Sequence, residues 1–309
     1  MDALTLDQIR VFIAVSDAGS FSRAAKSLNR AQSAVTYAIQ KLEGEIGVAV
    51  FDRSAYRPVL TEPGKALLVR AKRIAEATSG FRDQASSLAR GLEPELPIAL
   101  DPMFPMPLVV EALKAFSDRF PSVPPRVHVR SLGAAAQLVL DGTCTLGLLP
   151  FVITDLTSLK TFPILHTELV PVVAPGHPLA TEAGPIETET LHRHVQLVLS
   201  DSSDLTAGRD YGVLSSRTWR VADLGAKKSM LLAGLGWGSM PAHLVRDEIE
   251  RGELKRIDPV GFSQLTARLV LGAAYSAERS LGPAATWMVD YLRTCLSGFN
   301  LRWHGLASG

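Results

Sequence analysis

Cysteine is nearly absent from this chain of 309 residues, which holds only Cys144 and Cys295. Two cysteines so far apart make neither a disulfide framework nor a zinc site, which suits a reducing compartment. Long apolar runs are missing too, and none approaches the roughly 20 residues that a membrane-crossing helix needs. The segment Met1–Arg10 is polar and leads straight into a helical pattern, so no secretory leader is expected. A large charge of either sign is lacking, because 32 Lys/Arg face 31 Asp/Glu for a net charge of +1. No GxSxG, P-loop or nucleophilic-cysteine signature occurs. His192 and His194 form a lone H-x-H without a partner cluster, and His177 belongs to a turn, HPLA. Together these absences predict a soluble cytoplasmic protein that is not an enzyme, carries no metal or cofactor and makes no membrane contact.

What is present begins with a large apolar fraction, 47% of the chain, enough for a real core. The length suits about two or three domains. Charge is unevenly placed, with 13 Lys/Arg against 10 Asp/Glu in residues 1–93 and a slight acidic excess beyond. The most informative stretch is 21–47. Phe21, Ala24, Ala25 and Leu28, then Ala34, Val35, Ala38, Ile39 and Leu42, recur at i, i+3, i+4, i+7, the stripe of two short amphipathic helices. Asn29, Arg30 and Ala31 break the period over the length of a tight turn. Residues 18–41 hold Arg23, Lys26, Arg30 and Lys41 and no acid. A basic two-helix hairpin is either a small helical domain with a solvated face or a helix-turn-helix whose second helix enters a DNA groove. Upstream, Thr5 with Gln8 three residues on predicts a capped first helix that ends at Gly19.

After Gly47, short β-type runs at 48–51 and 58–61 flank a charged loop, the pattern of a β-hairpin wing with Arg53 and Arg57 near its tip. From Thr61 a long helix runs without interruption to Gly80, a residue that weakens it and marks a place to bend. Leu67, Ala71, Ile74, Thr78, Phe81, Ala85 and Leu88 alternate at spacings of 4 and 3. Such a seam buries itself against a second copy, presenting two recognition helices to a two-fold site, or against its own domain. Gly91–Pro94 reads as a linker. Beyond it strands alternate with helices in two series, the second beginning at a strand over 169–174. Chain crossings are expected near Phe162–His166 and Thr266–Leu269, and the run GLGWGSMPAHLV reads as a tight turn opening a helix. Two α/β lobes with a cleft between them follow.

With these segments in view, the chain strongly resembles the LysR-type transcriptional regulators over essentially its full length. The resemblance rests on SFSRAAKSLNRAQSAVTYAIQKLEGEIGVAVFDRS, on LTEPG, on HPLA (177–180) and on AGLGWGSMPAHLV (233–245). It implies a winged helix-turn-helix (1–61), a linker and dimerisation helix (62–90), and a two-lobed, periplasmic-binding-protein-like α/β effector domain (94–300). Lobe I would comprise about 94–163 and 267–300, and lobe II about 164–266. It further implies a homodimer or homotetramer acting on double-stranded promoter DNA, with a small-molecule effector and with RNA polymerase as a further partner. The family's DNA contacts then fall on Gln32, Ser33, Thr36 and Tyr37, with Arg53 in the wing; Arg23, Lys41 and Arg57, from the basic face and the wing tip, are further candidates. Ser33 stands where proline is common and Tyr37 where arginine often is. Ser33 is able to cap the helix, and Tyr37 forgoes the bidentate guanine contact of an arginine.

The resemblance places the effector between the lobes. Candidate contacts are Asp101, Pro102, Met103, Ser131, Leu132, Gly133, Leu149, Ser200, Asp201 and Ala222. Asp101 either meets a ligand or caps the helix that begins near Pro105, and Met103, Phe104 and Met106 either line an apolar pocket or belong to the core. The loop at Ser131–Gly133 opens a helix whose free N–H groups suit a carboxylate. Ser200–Ser203 offers a similar corner, although Asp201 and Asp204 oppose an anion there. An organic acid with an apolar or aromatic body fits these features. The rival is a redox-sensing regulator that uses Cys144 and Cys295, although neither thiol has a basic neighbour in sequence.

Overall fold

The computed structural model describes residues 4–52, 58–151, 157–206, 212–262 and 268–304, with side chains up to 294. The chain divides into two compact units, Met1–Ala89 and Arg90–Gly309. In the first, α1 (Leu6–Ala18), α2 (Phe21–Ser27) and α3 (Gln32–Ile46) are followed by β1 (Phe51–Asp52), β2 (Val59–Leu60) and α4 (Glu62–Ala89). Thr5 and Gln8 form the expected capping box, and Gly19 closes α1 in the left-handed conformation at φ 60°. Asn29 turns the chain between α2 and α3 at φ 55°, which an Asn tolerates better than most residues. Val11, Phe12, Val15, Ala24, Val35, Ile39 and Phe51 pack into one core that also takes in Ala71 of α4. β1 and β2 pair antiparallel, Phe51 opposite Leu60. The expected tip of this hairpin, with Arg53 and Arg57, lies outside the described residues.

Gly64 shows why the motif LTEPG ends in glycine. A Cβ there would strike the carbonyl oxygen of Val50, so only glycine lets the first turn of α4 pass the strand so closely. Thr61 caps the same turn by accepting the N–H of Gly64 at 3.0 Å. Gly80 leaves α4 a single helix to Ala89.

The second unit holds β3 (Leu96–Leu100), α5 (Met106–Arg119), β4 (Pro125–Val129), α6 (Gly133–Leu140) and β5 (Leu146–Pro150). There follow β6 (Leu159–Val173), β7 (Pro185–Ile186), α7 (Thr188–His192), β8 (Gln196–Leu199), β9 (Thr218–Val221), α8 (Leu224–Leu232) and β10 (Gly238–Pro241). Last come α9 (Ala242–Glu250), β11 (Lys255–Arg256), β12 (Asp258–Pro259), β13 (Arg268–Ser276) and α10 (Pro283–His304). Lobe I is the sheet β4-β3-β5-β13-β6, with β4, β3 and β5 parallel and β13 antiparallel to both its neighbours. Lobe II is built on the far half of β6, where β10 and β11 pair along opposite edges and the parallel pair β8–β9 joins β10 through a bridge between Gln196 and Trp237.

Two expectations need correction here. The first crossing, expected near Phe162–His166, is the interior of one fifteen-residue strand that serves both lobes, so the strand expected to start at 169 begins at Leu159 instead. Pro163 disguised it. The register shifts between Leu271 and Gly272, opposite Leu165 and Pro163, so the proline sits at a bulge, a place where strands tolerate one. The second crossing falls partly outside the described residues. The run GLGWGSMP is a strand as well as a turn. Gly234 turns at φ 73°, whereas a Cβ on Gly236 or Gly238 would collide with the carbonyls of Val195, just before β8, and Leu197, within it. These glycines permit close strand approach, a role that looks identical to turn chemistry in sequence.

Candidate functional site

α3 buries Val35, Ile39 and Leu42 and turns Gln32, Ser33 and Tyr37 outward, Tyr37 being 67% exposed. Its N-cap is Ala31, without a side-chain bond, so Ser33 does not cap the helix as expected; it stands in the first turn among backbone N–H groups that no side chain covers. Those groups and the positive end of the helix dipole suit a phosphate. Thr36 is half-buried, and its hydroxyl donates to the carbonyl of Gln32 at 3.0 Å, holding it along the same face. Arg23 is exposed on α2, and Lys41 lies 3.8 Å from Glu45 one turn on. Arg30 is spoken for, since its guanidinium makes a two-pronged pair with Asp7 at 2.7 and 2.8 Å. That pairing holds the Asp7 carboxyl below its usual value and ties the turn to α1.

Sequence reading missed Glu43. Its carboxylate accepts the N–H groups of Val50 at 2.9 Å and Phe51 at 3.3 Å, fastening the end of α3 to the wing strand. α4 is divided in its use of the apolar seam. Leu67 and Ala71 join the core of this unit, whereas Ile74, Phe81 and Leu88 are 39%, 73% and 46% exposed.

In the second unit the ten expected effector contacts lie at one end of the lobe I sheet and the facing rim of lobe II. Asp101, fully buried at the end of β3, accepts the N–H of Met103 at 2.8 Å and of Leu132 at 2.6 Å. It therefore does not cap α5, whose N-cap is Pro105 without a side-chain bond; it clamps two loops together. Burial raises its pKa to about 6, against the lowering effect of those two bonds, and Asp201 adds to the rise. Leu132 is held at φ 55°, ψ −130°, a conformation that disfavours side chains and persists here because its N–H and its buried side chain are both fixed. Met103 and Phe104 are core, as is Leu149 beneath α6, while Met106 is exposed and Pro102 and Ser200 are half-buried.

The lobes meet at Ser131, whose hydroxyl donates to the carbonyl of Ala222 at 2.9 Å, and at Asp201, which accepts the N–H of Ala134 at 2.9 Å. The same carboxylate accepts the N–H and hydroxyl of Ser203 and the hydroxyl of Thr206, at 2.7–2.9 Å. A Cβ on Gly133 would run into Asp201 and Ser203, so glycine opens this contact. Asp201 occupies the anion position at the start of α6 that sequence reading left for a ligand.

His177 accepts the N–H of Leu179 and caps the turn of HPLA, and burial with the neighbouring His194 lowers its pKa. Cys144 is buried, and desolvation pushes its thiol up to about 11, the opposite of a reactive cysteine. The side chain of Cys295 lies outside the described residues. Glu93, in the expected linker, accepts the N–H groups of Ala284 and Ala285 and caps α10 across the unit. Among the described residues no group of three or more His, Cys, Asp or Glu is placed to hold a metal, and no helix is long and apolar enough to cross a membrane.

A helix-turn-helix with a hairpin wing and a long helix, joined to a two-lobed α/β domain, defines a DNA-binding regulator with a ligand-binding module. Residues 6–65 match the model of bacterial regulatory helix-turn-helix proteins of the lysR family, and 89–296 match that of the LysR substrate binding domain. The chain belongs to the LysR-type transcriptional regulators, and it is a regulator of transcription and not an enzyme. Among its relatives, the probable HTH-type transcriptional regulator YhaJ of Escherichia coli is 29% identical, over 96% of this chain and 98% of its own. The HTH-type transcriptional regulator AceR of Acinetobacter baumannii is 28% identical, over 93% and 96%. The fold is shared with a Corynebacterium glutamicum OxyR C206 mutant at 23% identity and a TM-score of 0.54, covering 96% of this chain and 94% of that one.

Proposed function

We propose that residues 1–61 read a two-fold promoter site, that 62–90 pair with a second copy, and that 94–300 sense an effector between the lobes. The observation that carries the DNA assignment is the outward face of α3, where Gln32, Ser33 and Tyr37 stand exposed beside uncovered N–H groups. Arg23, Thr36 and Lys41 extend that face, and Arg53 and Arg57 of the wing would reach the backbone or minor groove. Tyr37 in place of a guanine-reading arginine gives this chain a base preference of its own. Exposed Ile74, Phe81 and Leu88 favour a second copy on α4, making a homodimer or homotetramer. Such a regulator works in the cytoplasm and has RNA polymerase as a further partner.

The effector we propose is a small organic acid, with its carboxylate at the start of α6 and its body along the loops of Asp101–Met103, Ser131–Gly133, Ser200–Asp201 and Ala222. Fluorescence anisotropy on the DNA flanking the protein's own gene tests the first half. Thr36→Ala and Gln32→Ala each weaken binding about tenfold, the cost of one lost polar contact, at unchanged melting temperature; two silent variants refute the assignment. Thermal shift with aromatic and aliphatic acids tests the second half, because a ligand of the folded state alone raises Tm. A uniformly flat panel rejects the acid.

A further inference from the structure

One short segment of lobe II, 201–206, makes both a polar and an apolar contact with α6 of lobe I. Asp201 seats its carboxylate on the N–H of Ala134 in the first turn of α6. Ser203 and Thr206 aim that carboxylate by donating to it from the same lobe. Four residues on from Asp201, Leu205 packs against the apolar cluster that holds Ala135, Ala136 and Val139 of α6. Ser131 adds an independent tie to Ala222. The segment thus presents to lobe I a charge-assisted bond at the helix end and an apolar contact beside it, with Gly133 leaving room for both.

We propose that segment 201–206 is a latch that holds the two lobes together when no effector is bound, with Asp201 standing where an acidic effector would place its own carboxylate. The latch rests on reading the cleft as the effector site. An acid reaches the N–H groups of α6 only by displacing Asp201, which then carries Leu205 off the helix and frees lobe II to move. The cleft is therefore self-occupied, and Asp201 sets how strongly an acid must bind before the domain responds.

Amide hydrogen exchange on the full-length protein, without effector or DNA, tests the latch separately from the acid titration. In Asp201→Ala, exchange rises about tenfold or more at Ala134, as expected for losing a bond to a charged acceptor. It rises in step at Leu205 and Thr206, whose own N–H groups do not bond Asp201, because opening uncovers both sides, while β3 keeps its protection. Gly133→Ala, which crowds Asp201 off the helix without removing a buried group, gives the same paired increase and decides the matter should Asp201→Ala melt. Wild-type protection at Ala134 in both variants overturns the latch. So does an increase confined to Ala134 and Ser203, the two N–H groups that Asp201 accepts, which would mark a local cap with no bearing on the lobes.

Discussion

Two helix N-termini in this protein are finished in opposite ways. α3 starts at Ala31 with no side-chain cap and with Gln32 and Ser33 in solvent. α6 also starts without a cap of its own, at Leu132, yet Asp201 arrives from 67 residues away to take the N–H of Ala134. Both ends carry the same surplus of N–H donors and the same positive dipole. What differs is who satisfies them. The first is left open, and the second is taken by the chain itself. An uncapped helix start is thus a binding feature only where nothing else in the fold can reach it.

The heaviest dependence falls on the closed end. Asp101→Ala strips the acceptor from two buried N–H groups, those of Met103 and Leu132, at a cost of about 2–6 kcal/mol. Calorimetry should show the transition of the second unit moving down sharply while that of the first stays; an unmoved transition would mean that Asp101 clamps nothing. Next in size is the open unit's need for a partner. Phe81→Asp, at a site 73% exposed, should weaken self-association at least about tenfold in sedimentation without loss of helix. Persistent dimers of that variant would place the interface elsewhere than on α4.

The smallest effect is in the pH response, where the units part in sign. Asp7, held low by Arg30, favours folding above the ordinary carboxylate range, a benefit lost as pH falls through its lowered value. Asp101 is raised from 3.8 to about 6, so its contribution is fully present below about 3.8 and is lost as pH rises to about 6. Between those limits acid therefore favours the second unit through Asp101. Amide shifts of Met103 and Leu132 should titrate near pH 6, and Asp201→Asn should move that midpoint down by removing a neighbouring negative charge. A midpoint near 4 would show that Asp101 is less desolvated than its surroundings indicate.

Much of the fold was legible because it rests on local regularities. The helix stripe at Val35, Ile39 and Leu42, the capping box at Thr5 and Gln8, and the motif LTEPG each state their structure within a few residues. β6 was illegible because Pro163 normally ends a strand, and only the bulge opposite Gly272 makes it harmless. In sequence Gly236 and Gly238 look like turn formers, because a glycine that admits a neighbouring backbone has no signature of its own. The site was legible as a set of loops, Asp101–Met103, Ser131–Gly133 and Ser200–Asp201, but not as a set of bonds. Glu43 and Glu93 went unseen for the same reason, since each carboxylate serves N–H groups that sequence alone does not bring near it.

By itself the sequence determined the family, the order of its parts and the outward face of α3, because periodicity and caps act over one or two turns of chain. Only the tertiary structure decided which donors remain open. Satisfying an N–H group requires an acceptor within about 3 Å, and whether Asp201 stands that close to α6 depends on how two lobes close around a strand they share.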